Sequence, residues 1–211
     1  LTKIRLNQFP RTSIDKYTTL ILVSGSYNQL GKDEIKKIKK WVEKGNTLIT
    51  IARGSSWAIN NELIDENLVE SKEDSTHSRK NYVDASGFIG RERIGGVILK
   101  ADIDLTHPIA FGYNDNSIPV YKNNNVFINK TKDDYSSVAV YSDDFHIDGY
   151  ISESNRKDYI PGSASLIVSK IGSGRVVVFA DNPNFRGTWY GTNKLFLNAI
   201  FLGDNISVPT D

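Results

Sequence analysis

The chain contains no cysteine and no methionine. Without a thiol there is no disulfide, no thiolate metal site and no cysteine nucleophile. The missing methionine has no evident physical reason. Charge of one sign is also lacking. Lys and Arg number 26 against 25 Asp and Glu, a net charge of +1. A nucleic-acid-binding domain carries a strongly basic footprint, so no nucleic-acid partner is expected. No apolar run approaches the length needed to span a bilayer, and no membrane partner is expected. The histidines are three, His77, His107 and His146, and none has a Glu or His three or four residues on. Zincin-type and His-x-x-Glu pairs are therefore absent, and no metal or other cofactor is expected. No signal peptide is visible. The chain begins at Leu1, however, and is read as a piece of a longer parent.

What is present is ordinary globular material, 39% hydrophobic and 24% charged over 211 residues. No linker and no internal repeat divides it, so residues 1–211 are read as one domain with a core spanning about 14–203. "TKIRLNQF" alternates and predicts a strand. "TTLILVSG" and "NTLITIA" predict strands buried on both faces. Between them "DEIKKIKKWVEKG" places Ile35, Ile38, Trp41 and Val42 on one helical face, with Asp33 or a neighbour as its cap and Gly45 at its end. Two buried strands joined by a helix imply a parallel crossover and a doubly wound, mostly parallel sheet. The N-terminal strand is out of place for such a sheet, which usually carries an earlier βα unit; that unit is read as missing here or supplied upstream. Residues 66–95 are charged and show few clear periods. "GGVILKADID" and "SSVAVYS" predict strands, and "DGYISESNRKDYI" a helix broken by Pro161 and Gly162. "SASLIVSKIGSGRVVVFADN" predicts a hairpin about Gly172-Ser173-Gly174, since a phosphate-binding glycine loop would open a helix instead. The last helix is expected over about 188–202.

Candidate chemistry collects at strand ends. "ITIARGSSWA" has the strand, sharp turn and helix of a nucleophile elbow without its G-x-S-x-G spelling. Ser55 and Ser56 lie just past that turn. No histidine is positioned by sequence to activate either one, and Ser55 serves equally as a helix cap. Asp181 closes the strand "RVVVFAD" and could act as an acid or base, or bind a ligand with Asn182, Asn184 and Arg186. It could equally pair with Arg186 or cap the following turn. "SGSYN", "RGSSW" and "DNPNFR" all belong to the carboxyl edge of the predicted sheet, where α/β proteins form their crevices. The candidate binding crevice is therefore Ser26, Tyr27, Ser55, Trp57, Asp181, Asn182, Asn184 and Arg186. "THPIAFGY" is expected to use His107 to hold a turn before Pro108.

Three stretches carry a resemblance: "YTTLILVSGSYNQL" continuing through "IKKWVEKGNTLITIARGSSWA", then "DLTHPIAFGY", then "GSGRVVVFADNPNFRGTWYGTNKLFLNAIFLG". Together they resemble the C-terminal class I glutamine-amidotransferase-like domain of bacterial, Bacteroidetes-type zinc carboxypeptidases of the M14 family. The resemblance runs from about Tyr17 to Gly203 and is most specific in its last stretch. It implies a flavodoxin-like three-layer α/β sandwich and a secreted or periplasmic parent. Active amidotransferases carry a G-x-C-x-G elbow, and the matching residues here are Thr50-Ile51-Ala52-Arg53-Gly54, with Ala52 at the nucleophile position. Their late strand ends in His-Pro-Glu, and the one here ends Phe179-Ala180-Asp181-Asn182. Neither the thiol nor the imidazole of a Cys–His pair is present.

The expectation is a non-catalytic accessory domain of a zinc carboxypeptidase. Its partners would be the peptidase domain of the same parent, and a peptide or glycan held at the crevice by Tyr27 and Trp57. The alternative is a hydrolase with a non-standard Ser or Asp site at the carboxyl edge of the sheet.

Overall fold

The computed structural model describes residues 1–70, 81–133 and 135–207. In chain order the elements are β1 (Thr19–Leu22), α1 (Lys32–Glu43), β2 (Thr47–Ile51), α2 (Arg53–Asn60), α3 (Tyr82–Glu92), β3 (Val97–Ile103), β4 (Ser117–Lys122), β5 (Ile128–Asn129), β6 (Ser137–Gly149), β7 (Ser163–Ile171), β8 (Gly174–Phe179) and α4 (Tyr190–Phe201). All eight strands join one sheet in the order β1-β2-β8-β7-β6-β3-β4, with β5 pairing off β7.

The sheet is mixed, where the sequence predicted a mostly parallel one. β1, β2 and β8 are parallel, as the crossover through α1 requires. Every pairing beyond β8 is antiparallel. The reversal is made by the β7–β8 hairpin. Its Gly172 has φ +58, and a Cβ there would stand 2.9 Å from the carbonyl oxygen of Glu43. A tight left-handed turn under the end of α1 leaves room for glycine alone.

Hydrophobic cores lie on both faces, which makes three layers. On one face Ile38, Trp41 and Val42 of α1 and Ala58 and Ile59 of α2 cover Leu48, Val176 and Val178. On the other, Leu195 and Ala199 of α4 pack with Ile49, Val177 and residues of β3, β4 and β6. Neighbours in β2 and β8 point to opposite faces, so both strands are buried throughout and read as unbroken apolar runs. The cap of α1 falls two residues before the expected Asp33. Gly31 is its N-cap, and Glu34 accepts the Gly31 N–H at 2.8 Å.

Some expected elements are replaced. The segment predicted as an N-terminal strand is irregular and forms a 3₁₀ turn over Leu6–Arg11. Pro10 lies within it, and Lys37 Nζ donates to the carbonyls of Phe9, Pro10 and Thr12, tying the segment to α1 rather than to a sheet edge. The helix expected between Asp148 and Ile160 is shorter than its sequence suggested: a helical turn at 153–154 runs into a π-helical stretch, Asn155–Tyr159, and stops before Pro161. α3 arises in the charged region where no element was evident, and none of its residues is buried. His77 lies outside the described residues. Among the described residues no helix is long and apolar enough to cross a membrane.

The last specific stretch of the sequence closes the sheet's β4 edge. Tyr121 meets the rings of Phe185 and Trp189, with centroids 4.1 and 5.8 Å away. The Trp189 indole N–H donates to the Pro119 carbonyl at 3.2 Å. The "HPIAFGY" segment is held against α4 in turn. Asn198 donates to the carbonyls of Ile109 and Phe111, and the Tyr113 hydroxyl to that of Gly191.

Candidate functional site

The parallel strands deliver the ends of β1, β2 and β8 to one edge, and direct contacts bind those ends together. The Ala52 N–H donates to the Phe179 carbonyl at 2.8 Å, joining the turn after β2 to β8. Ser55 Oγ donates to the same carbonyl at 2.7 Å and shares a 3.0 Å hydrogen bond with Thr50. A Cβ on Gly54 would come within 2.6 Å of the Leu22 carbonyl oxygen and 2.9 Å of the Val23 one. Helix α2 therefore starts pressed against the end of β1, and only glycine permits the approach.

The sharp turn is centred on Ala52, with φ 50 and ψ −112. This is a strained backbone for a residue with a side chain, and it is the strained strand-to-helix geometry that lifts a nucleophile above a sheet. The atom lifted here is a methyl group. Ser55, three residues on, is fully buried, and its hydroxyl is spent on backbone and Thr50.

At the end of β8 stands a buried polar cluster. Lys122 Nζ lies 3.0 Å from Asp181 Oδ1 and also donates to the Val126 carbonyl at 2.6 Å. Asp181 Oδ2 accepts from the Tyr141 hydroxyl and, at 3.1 Å, from Ser165 Oγ. The ammonium sits 4.7 Å from the Phe127 ring centre. Burial pulls the Lys122 ammonium below its ordinary range, with the Asp181 charge opposing that shift. Burial, reinforced by Asp181, pushes the Tyr141 hydroxyl well above its own. The cluster ties β4, β6, β7 and the end of β8 together, and its groups satisfy one another rather than facing solvent.

The other predicted crevice residues divide in two. Tyr27 and Trp57 meet, with ring centres 5.4 Å apart. Tyr27 is buried, its hydroxyl donates to the Val23 carbonyl at 2.6 Å, and burial pushes its pKa up to about 12. Ser26 is exposed. In "DNPNFR" the Asn182 side chain accepts the Asn184 N–H at 3.0 Å, a local turn closure. Arg186 is exposed, at φ 52, with its guanidinium over the Phe185 ring, and Asp181 pairs with Lys122 instead of with Arg186. Sequence reasoning missed Lys122, Tyr141 and Ser165. The signal for Lys122 was its parity, since it shares a strand face with Ile118 and Val120.

Solved structures with similar architecture include a ThuA-like protein from Parabacteroides merdae, with TM-score 0.54 and 12% identity over 95% of this chain and 75% of that one. A cytoplasmic protein from Salmonella typhimurium gives 0.52 and 12% over 95% and 75%. PurLQS from Thermotoga maritima gives 0.51 and 15% over 90% and 81%. The chain has the class I glutamine-amidotransferase-like fold. No family model and no curated protein matches the sequence. At such identities the likeness is one of fold, and function has to be argued from the site. The turn after β2 has a strained backbone and a close-packed Gly54, and the residue at its centre is alanine. His107 and His146 are engaged elsewhere, His107 with the Ile109 N–H and His146 with the Gly149 carbonyl. Among the described residues no group of three His, Asp or Glu side chains could hold a metal.

Proposed function

We propose that this chain is a non-catalytic, amidotransferase-like accessory domain of a longer zinc carboxypeptidase of the M14 type. The observation that carries the non-catalytic reading is Ala52, a residue without a nucleophilic group at the centre of an intact, strained elbow. The sealed Lys122–Asp181 pair supports it, because it stands where the amidotransferase pattern requires an imidazole. The carboxypeptidase parent, a secreted or periplasmic location and the peptidase domain as partner rest on the sequence resemblance. The role is packing against that domain or holding a peptide or glycan at the edge formed by Ser26, Trp57, Asn182, Asn184 and Arg186, the more accessible of the crevice residues.

The test is calorimetric titration of this domain into the separately expressed peptidase domain of its parent, repeated with Arg186→Ala and Trp57→Ala. Binding lost in both variants makes the crevice the interface. Binding retained in both makes this a docking module that uses another face. An absence of binding by the unaltered domain defeats the partner assignment and turns the search to peptides and glycans.

A further inference from the structure

The opposite, amino edge of β8 holds a second polar site. There Lys170 on β7 and Arg175 on β8 are direct cross-strand partners. Like charges facing one another across an antiparallel pair repel, and the arrangement needs a compensating group. Arg175 is only 8% exposed. Nη1 donates to the Gly203 carbonyl, and Nη2 donates to the Ser173 carbonyl at 3.2 Å. Both partners are neutral, and Nε is buried with no partner. A guanidinium has five N–H donors, so most of this one's capacity is unspent. No carboxylate of the described residues lies within ion-pair distance of it.

Both cations line a cavity of about 300 Å³, together with Gly172, Ser173, Asp204 and Asn205. That volume is at the small end of ligand pockets. Asp204 is the one acid in the lining, and its Oδ1 already accepts from Thr47 at 3.1 Å. Two cations against one committed carboxylate leave an excess of positive charge in a concave, half-open place.

We propose that this cavity is a binding site for a compact oxyanion, a phosphate or carboxylate group, held between Lys170 and Arg175. The unspent Nη donors of the guanidinium suit such a planar or tetrahedral oxygen cluster. The site lies at the other end of the strands from the elbow, so it is independent of the accessory-domain reading and of its failure.

Thermal unfolding of the intact chain tests it, with inorganic phosphate, and separately acetate, replacing chloride at constant ionic strength. The expected result is a saturable rise in Tm with at least one of the two, and which one responds identifies the oxyanion. Lys170 is exposed, so Lys170→Glu should fold normally. It should weaken the apparent affinity by about tenfold or more, the equivalent of losing one charge-assisted contact. Lys36→Glu, on the exposed side of α1, makes the same change in net charge and should leave the affinity unaltered. No saturable effect of either anion in the native chain overturns the proposal. So does an equal loss in both variants, which would mark the effect as unspecific screening.

Discussion

Lys122 Nζ lies 3.0 Å from Asp181 Oδ1, and the two side chains are among the most deeply buried polar groups of the protein. A buried ion pair gains little over an apolar pair of the same shape, yet removing one partner strands the other in a medium that cannot solvate it. Lys122→Met should therefore destabilise the fold by about 3–5 kcal/mol. The double variant Lys122→Met/Asp181→Asn should recover a good part of that loss, because the amide oxygen still accepts from Tyr141 and Ser165. Urea unfolding of the set measures both effects. A single variant within about 1 kcal/mol of the native chain would show the pair to be incidental.

The elbow gives a pair of opposed substitutions. Gly54→Ala drives a methyl group into the carbonyls of Leu22 and Val23, which are backbone and cannot swing aside. The expected loss is about 2–3 kcal/mol, that of a badly overpacked site. Ala52→Gly relieves backbone strain costing about 1–3 kcal/mol and forfeits one buried methyl worth about 0.8. It should leave stability unchanged or raise it. A marked loss on Ala52→Gly would mean that the turn is not strained.

His107 caps the turn Pro108–Ala110 by accepting the Ile109 N–H on Nδ1 at 3.1 Å, a role open only to the unprotonated nitrogen. Burial lowers its pKa, with the Asp104 charge opposing the shift. The folded state thus binds the proton less readily than the unfolded one. The stabilisation is present above the ordinary histidine range, about 6.5, and is lost as pH falls through the lower folded value. Denaturant midpoints taken from pH 7.5 down to pH 5 should decline. The same series on His107→Asn, which can still accept the bond but does not titrate, should decline less. Parallel curves would remove His107 from the account.

At alkaline pH the sign reverses. Burial raises both Tyr27 and Tyr113 to about 12 from an ordinary value of 10.0. Their contribution is intact below pH 10 and disappears as pH climbs toward 12, because the unfolded chain ionises first. Tyr27→Phe gives up the bond to the Val23 carbonyl, but should flatten the stability decline above pH 10. The check is the slope of unfolding free energy against pH, compared between the two proteins.

Much of the fold could be read in advance because periodicity and burial coincide. The helix carrying Ile38, Trp41 and Val42, the apolar runs of β2 and β8, and the glycine hairpin between β7 and β8 each have a local cause. His107 as a turn holder has one too. Strand direction beyond β8 was hidden, since apolar runs look alike in parallel and antiparallel surroundings. The alternation in "TKIRLNQF" misled because Pro10 and the reach of Lys37 over many residues decide that segment. The partner of Asp181 was out of view for the same reason. Arg186 is five residues away and Lys122 is 59, and sequence proximity favours the wrong cation. Of the predicted crevice, the Tyr27–Trp57 contact follows from the parallel edge, while the burial of Ser55 depends on a carbonyl contributed by another strand.

Trp189 and Pro119 have a further consequence. A sheet's outermost strand is an invitation to other chains, because its free amides and carbonyls can template another strand. On β4, Pro119 has no amide to offer, and its carbonyl is occupied by the Trp189 indole. Phe185 and Trp189 lie over Tyr121 beside it. This margin of the molecule is hemmed against aggregation, and loosening the hem through Trp189 should first appear as self-association at high concentration rather than as loss of fold.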